Sequence, residues 1–94
     1  MAIVAVSIAP IGEGLSLHEH VAAALAPLRA QSRVRWKLDS MFTTLEGELA
    51  EVMSLVQEMH EAVFATGAQR VSTLIKIDDR RDRVVRMEDK VRVV

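Results

Sequence analysis

Arg35-Trp-Lys-Leu-Asp-Ser-Met-Phe-Thr-Thr-Leu-Glu-Gly47 is the stretch on which the fold turns. From Arg35 to Asp39, charged residues alternate with Trp36 and Leu38, the pattern of a half-exposed strand near a sheet edge. After a tight turn around Ser40 and Met41, Phe42 to Glu46 reads as a second short strand, ended by Gly47. Two strands in direct succession, with no helix between them, predict an antiparallel pair in the middle of the chain.

On the C-terminal side, Glu48 to Thr66 is the clearest helix. Leu49, Val52, Met53, Val56, Met59, Val63 and Phe64 recur at its period, and Gly67 stands where a terminal glycine cap belongs. Arg70 to Ile77 then alternates as a strand, with Val71, Thr73, Ile75 and Ile77 on one face and Ser72, Leu74 and Lys76 on the other. On the N-terminal side, Ala2 to Ala9 is an apolar run rich in β-branched residues, expected to be a buried strand. Val4, Val6 and Ile8 would point one way; Ile3, Ala5, Ser7 and Ala9 would point the other.

Pro10 to Gly14 breaks that strand. Ser16 with Glu19 forms a capping box for a helix whose stripe is Leu17, Val21, Ala24, Leu25 and Leu28. Pro27 should kink or loosen it, having no N–H for the carbonyl of Ala23. The tail from Met87 fits a short helix better than a strand. The order strand, helix, strand, strand, helix, strand is the split βαβ pattern: an α+β, ferredoxin-like βαββαβ domain over residues 1–94, with two helices on one face of a four-stranded antiparallel sheet. The other face, carrying Ala5, Ser7, Ser72, Leu74 and Lys76, is expected to be open for a second sheet or a ligand.

Composition narrows the function. Half of the 94 residues are hydrophobic, a high fraction for so small a domain and a reason to expect self-association. The net charge of −1 supplies no field for nucleic acid or an anionic membrane. The three aromatics, Trp36, Phe42 and Phe64, are too few for a base-stacking platform. The apolar start is too short to span a bilayer. The lack of cysteine excludes disulfides and thiolate chemistry and fits a cytoplasmic protein.

Little in the chain suggests catalysis. His18-Glu-His20 does not place two ligands on one helix face and reads as polar helix surface. His60-Glu61 lacks the second histidine of a zinc-protease helix, and Gly12 and Gly14 lack the rest of a phosphate-loop fingerprint. Ser7, Ser16 and Ser72 have no His and Asp partners at recognisable positions. The expectation is therefore a non-enzyme without metal or cofactor. Thr43, Thr44 and Glu46 offer two hydroxyls and a carboxylate that suit a polar heterocycle or a cation; their plainer roles are strand formation and support of a helix N-terminus. Basic residues gather at Arg80, Arg81, Arg83, Arg86, Lys90 and Arg92, after a stretch from Lys37 to Arg70 that has none between its ends. They suit either a solvated loop or pairing with an acidic helix of another subunit.

The chain resembles the thiamine-binding protein family. The resemblance runs through Ser7-Ile-Ala-Pro-Ile-Gly12 with Ser16, Met41-Phe-Thr-Thr-Leu-Glu-Gly47, His60-Glu-Ala-Val-Phe64, Gly67, Arg70-Val71, Ile75-Lys-Ile-Asp-Asp-Arg-Arg-Asp82, Met87 and Lys90-Val91. Phe42 departs from it, standing where the family often has glycine, and relatives often continue past residue 94 through a longer C-terminal helix. The resemblance implies binding of thiamine or its hydroxymethylpyrimidine part, at or near a subunit interface of a dimer or tetramer, without catalysis. The residues then expected at the ligand are Ser7, Trp36, Phe42, Thr43, Thr44, Glu46 and Ser72. The alternative is a structural or regulatory homo-oligomer with no small ligand.

Overall fold

The computed structural model describes residues 1–12 and 17–92. Its elements are β1 (Ala2–Pro10), α1 (Leu17–Arg29), β2 (Arg35–Leu38), β3 (Thr43–Gly47), α2 (Leu49–Phe64), β4 (Val71–Asp79) and α3 (Met87–Arg92). The sheet runs β2-β3-β1-β4 with every neighbouring pair antiparallel, the ferredoxin-like arrangement. The expected cap from Ser16 lies outside the described residues.

Alternation sets the two faces. Ala2, Val4 and Val6 of β1 and Leu45 of β3 are buried under the helices with Ala24, Leu25 and Leu28 of α1 and Val52, Leu55, Val56, Met59 and Val63 of α2. Burying each of the larger aliphatic side chains contributes about 1.5–3 kcal/mol. α1 continues through Pro27 to Arg29. Val21, expected in its stripe, is exposed, and the inward position belongs to His20, whose ring is buried and within 3.1 Å of the Thr66 hydroxyl. The reading of His20 as polar surface is therefore corrected. Residues 18 and 19 do face solvent, because a helix turns 100° per residue.

Gln31 shapes the link from α1 to β2. Its Nε2 donates to the carbonyls of Leu28 and Val34 at 3.1 and 2.9 Å, and its Oε1 accepts the N–H groups of Arg33 and Val34 at 2.9 and 2.8 Å. One amide thus satisfies four backbone groups around buried Val34. At the far end of α2, Gly67 takes φ +103° and donates its N–H to the Phe64 carbonyl at 3.0 Å, a conformation glycine adopts without Cβ strain.

Two sequence expectations change around β4. The strand reaches Asp79, two residues past the expected end at Ile77, and Met1 and Arg80 exchange backbone hydrogen bonds at 3.2 and 3.3 Å. The charges that follow pair within the chain, Arg80 with Asp82 and Arg81 with Asp79. The face opposite α1 and α2 is also only partly open, because α3 lies over one end of it. Among the described residues, no helix is long and apolar enough to cross a membrane.

Candidate functional site

Three register rows organise the face beneath α3. The first row places Arg35 opposite Glu46, Glu46 opposite Ile3, and Ile3 opposite Asp78. The second runs Lys37, Thr44, Ala5, Lys76, and the third pairs Ser7 with Leu74.

The first row anchors α3. The Glu46 side chain is fully buried. Its Oε1 receives Arg35 and, at 3.3 Å, Arg86; its Oε2 accepts the backbone N–H of Met87 at 2.8 Å. The other nitrogen of the Arg35 fork reaches Glu88. Across the sheet, Lys90 pairs with Asp78. These contacts perturb the partners as charge pairing requires. The Arg35 hydrogen bond holds the Glu88 carboxyl below its ordinary range, and Lys90 does the same to Asp78. Glu46 does support a helix N-terminus, but that of α3 rather than of the adjacent α2.

Between α3 and the second row lies a cavity of about 770 Å³. Ile3, Ala5 and Thr44 line it from the sheet, Met87 and Val91 line it from α3, and Trp36, Lys37, Asp39 and Lys76 stand at its margins. Its size falls within the range of small-molecule sites, and its lining combines apolar surface with a rim of charged side chains. The small Ala5 side chain leaves the room. The Thr44 hydroxyl has no hydrogen-bond partner among the described residues. Trp36 sits opposite Leu45, packs against the core and also borders the cavity.

The structure therefore divides the residues expected at the ligand. Thr44 and Trp36 line the cavity. Glu46 lies beneath its wall with both oxygens engaged. Thr43 is buried on the helix-covered side opposite Val6, so adjacent threonines cannot share the site. This corrects the grouping of Thr43 with Thr44. Ser7 and Ser72 belong to the uncovered face but are not in the cavity lining; Ser72 pairs with Ala9. Phe42 precedes β3 in the turn, its carbonyl accepting the Asp39 N–H at 3.1 Å, and it too lies outside the lining. Sequence reading placed Lys76 on the open face without assigning it to the ligand, and missed Lys37 and the residues of α3. The alternation of β2 and β4 carried the signal for the lysines, whereas the position of α3 had none.

Among the described residues, no group of three or more His, Asp and Glu side chains is placed to hold a metal ion. His60 instead packs edge-on against Phe64 and lies 2.6 Å from the Thr73 hydroxyl.

Known proteins share both sequence and fold. The thiamine-binding protein family matches residues 4–94. The UPF0045 protein YqgV of Bacillus subtilis is 41% identical, covering all of this chain and 94% of its own. A UPF0045 protein of Methanothermobacter thermautotrophicus is 43% identical over 94% of this chain and 90% of its own. The crystal structure of the hypothetical protein MJ1052 from Methanocaldococcus jannaschii superposes with a TM-score of 0.85 at 30% identity, covering 98% of this chain and 93% of that one. A Thermotoga maritima protein, provisionally described as belonging to thiamine biosynthesis or salvage, superposes with a TM-score of 0.81 at 25% identity, over 98% and 96% of the two chains.

Proposed function

The chain belongs to the thiamine-binding protein family, and from that premise we propose that it binds thiamine or its hydroxymethylpyrimidine moiety in the cavity beneath α3, without turning it over. The observation that carries this reading is the cavity itself, about 770 Å³ of space over Ala5 and the unpartnered Thr44 hydroxyl. A planar heterocycle would lie on the apolar surface of Ile3 and Ala5 and hydrogen-bond to Thr44. Glu46 acts through α3, fixing the roof of the site rather than touching the ligand. Homo-oligomerisation belongs to the same proposal. Leu74, 61% exposed beside Ser7, lies on the same sheet face beyond the end that α3 covers, an apolar surface suited to a second copy.

Titration calorimetry with thiamine and with hydroxymethylpyrimidine tests the reading, with Ala5→Leu as the control. The wild type is expected to bind at least one of the two with one site per chain. Ala5→Leu, which fills the cavity floor, is expected to abolish binding while retaining the melting transition. Failure of both compounds to bind would favour the second reading, a structural or regulatory oligomer built through the Leu74 face.

A further inference from the structure

The charges around the cavity do not match a cationic ligand. Five basic side chains and three carboxylates border it, a surplus of two positive charges. Most of these groups are already committed. Arg35 is held by Glu46 and Glu88, Lys90 by Asp78 and Arg92 by Asp89. Asp39, the remaining carboxylate, accepts the Ser40 N–H at 2.8 Å. Lys37 and Lys76 are left. Both are exposed, and neither forms an ion pair or hydrogen bond with a described residue. The field of Lys76 is felt at Asp78, whose carboxyl it helps to lower, but Asp78 is paired to Lys90.

Their placement matters as much as their freedom. Lys37 opposes Thr44, Thr44 opposes Ala5, and Ala5 opposes Lys76. The two ammonium groups thus flank, on one face and in one register row, the floor of the cavity. Three strand spacings separate the two backbones, about 14 Å. Two four-carbon stems can span that width with an anion held between them.

We propose that the cavity takes its heterocycle in phosphorylated form, with Lys37 and Lys76 closing on the phosphate from the two edges of the sheet. The ring would lie over Ala5 and Thr44 and the phosphate would supply the negative charge that the lining lacks. This inference rests on the reading of the cavity as a heterocycle site.

Calorimetry at low and at high salt on the full chain separates the two claims, using thiamine, hydroxymethylpyrimidine, their monophosphates and inorganic phosphate. Each monophosphate is expected to bind about tenfold or more tightly than its parent at low salt, as charge-assisted hydrogen bonds imply, with the ratio falling as salt rises. In Lys37→Gln/Lys76→Gln the ratio should collapse toward one. In Lys37→Arg/Lys76→Arg, which keeps both charges, it should persist, and thermal melts check that both variants fold. A wild-type ratio at or below one, with the parents still binding, overturns the phosphate inference and leaves the heterocycle reading standing. A ratio untouched in the Gln variant overturns the assignment to these lysines. No binding of any heterocycle overturns both claims. Inorganic phosphate binding as tightly as the esters would make this a site for the anion alone and overturn the heterocycle reading.

Discussion

The Oε2 atom of Glu46, at the centre of the sheet, accepts the backbone N–H of Met87 at 2.8 Å and so ties β3 to the first residue of α3, 41 positions away. One buried carboxylate thereby decides where the roof of the cavity sits. Removing its charge removes the reason for Arg35 and Arg86 to converge on it. Glu46→Gln is expected to cost about 1–3 kcal/mol of stability, the range for losing a charged partner in a buried hydrogen-bonded group. Hydrogen exchange should report the loss first at the Met87 amide. Unchanged protection there, with an unchanged melting temperature, would show that α3 is held by other contacts.

Acid should loosen the same helix. The carboxyls of Glu88 and Asp78 are held below their ordinary values of 4.5 and 3.8, by Arg35 and Lys90 respectively. A carboxylate depressed in the folded state stabilises it above the unfolded value, and that stabilisation is lost as pH falls through the lower, folded one. The anchorage of α3 should therefore hold at neutral pH and weaken below the ordinary carboxylate range. Hydrogen exchange or helix-specific NMR shifts, followed from pH 7 downward, check this. Lys90→Ala should raise the Asp78 midpoint, with Arg80 and Lys76 still holding it down in part.

Asp82 supplies an independent titration. The Arg80 fork, at 2.6 and 2.9 Å, draws its carboxyl down from 3.8 to about 2. Carbon-detected NMR should find the midpoint near that value, and Arg80→Ala should move it back up toward 3.8. A midpoint that ignores the substitution would mean that the pair does not persist in solution.

The two adjacent threonines predict opposite phenotypes. Thr44→Val removes the hydroxyl in the cavity and is expected to weaken binding of thiamine or hydroxymethylpyrimidine several-fold, about the worth of one hydrogen bond, with little change in melting. Thr43→Val alters the covered face and should leave affinity unchanged. Calorimetry and melts on the pair decide the matter. Equal effects on affinity would mean that the ligand does not lie over Thr44.

The remaining uncovered face makes its own prediction. Leu74→Glu places a charge where a second copy would have to bury it, and it should lower the molar mass seen by analytical ultracentrifugation. An unchanged mass would exclude this face from the interface.

Local pattern determined much of this protein. Alternation in Ala2–Pro10 and Val71–Asp79, the 3.6-residue stripe of Leu49–Phe64 and the two strands in succession at Arg35–Gly47 specify the ferredoxin-like sheet and its helix-covered side. Those signals are legible because each depends on neighbours a few positions apart. Only the tertiary structure decided where the cavity lies. Alternation by itself separates Thr43 from Thr44, but which of them faces a cavity depends on which side α1 and α2 cover. Nothing near Glu46 in the chain announces that its carboxylate will meet Arg86 and Met87. That meeting exists because a short tail folds back over one register row of the sheet, where a charge removed from water must find partners from distant segments.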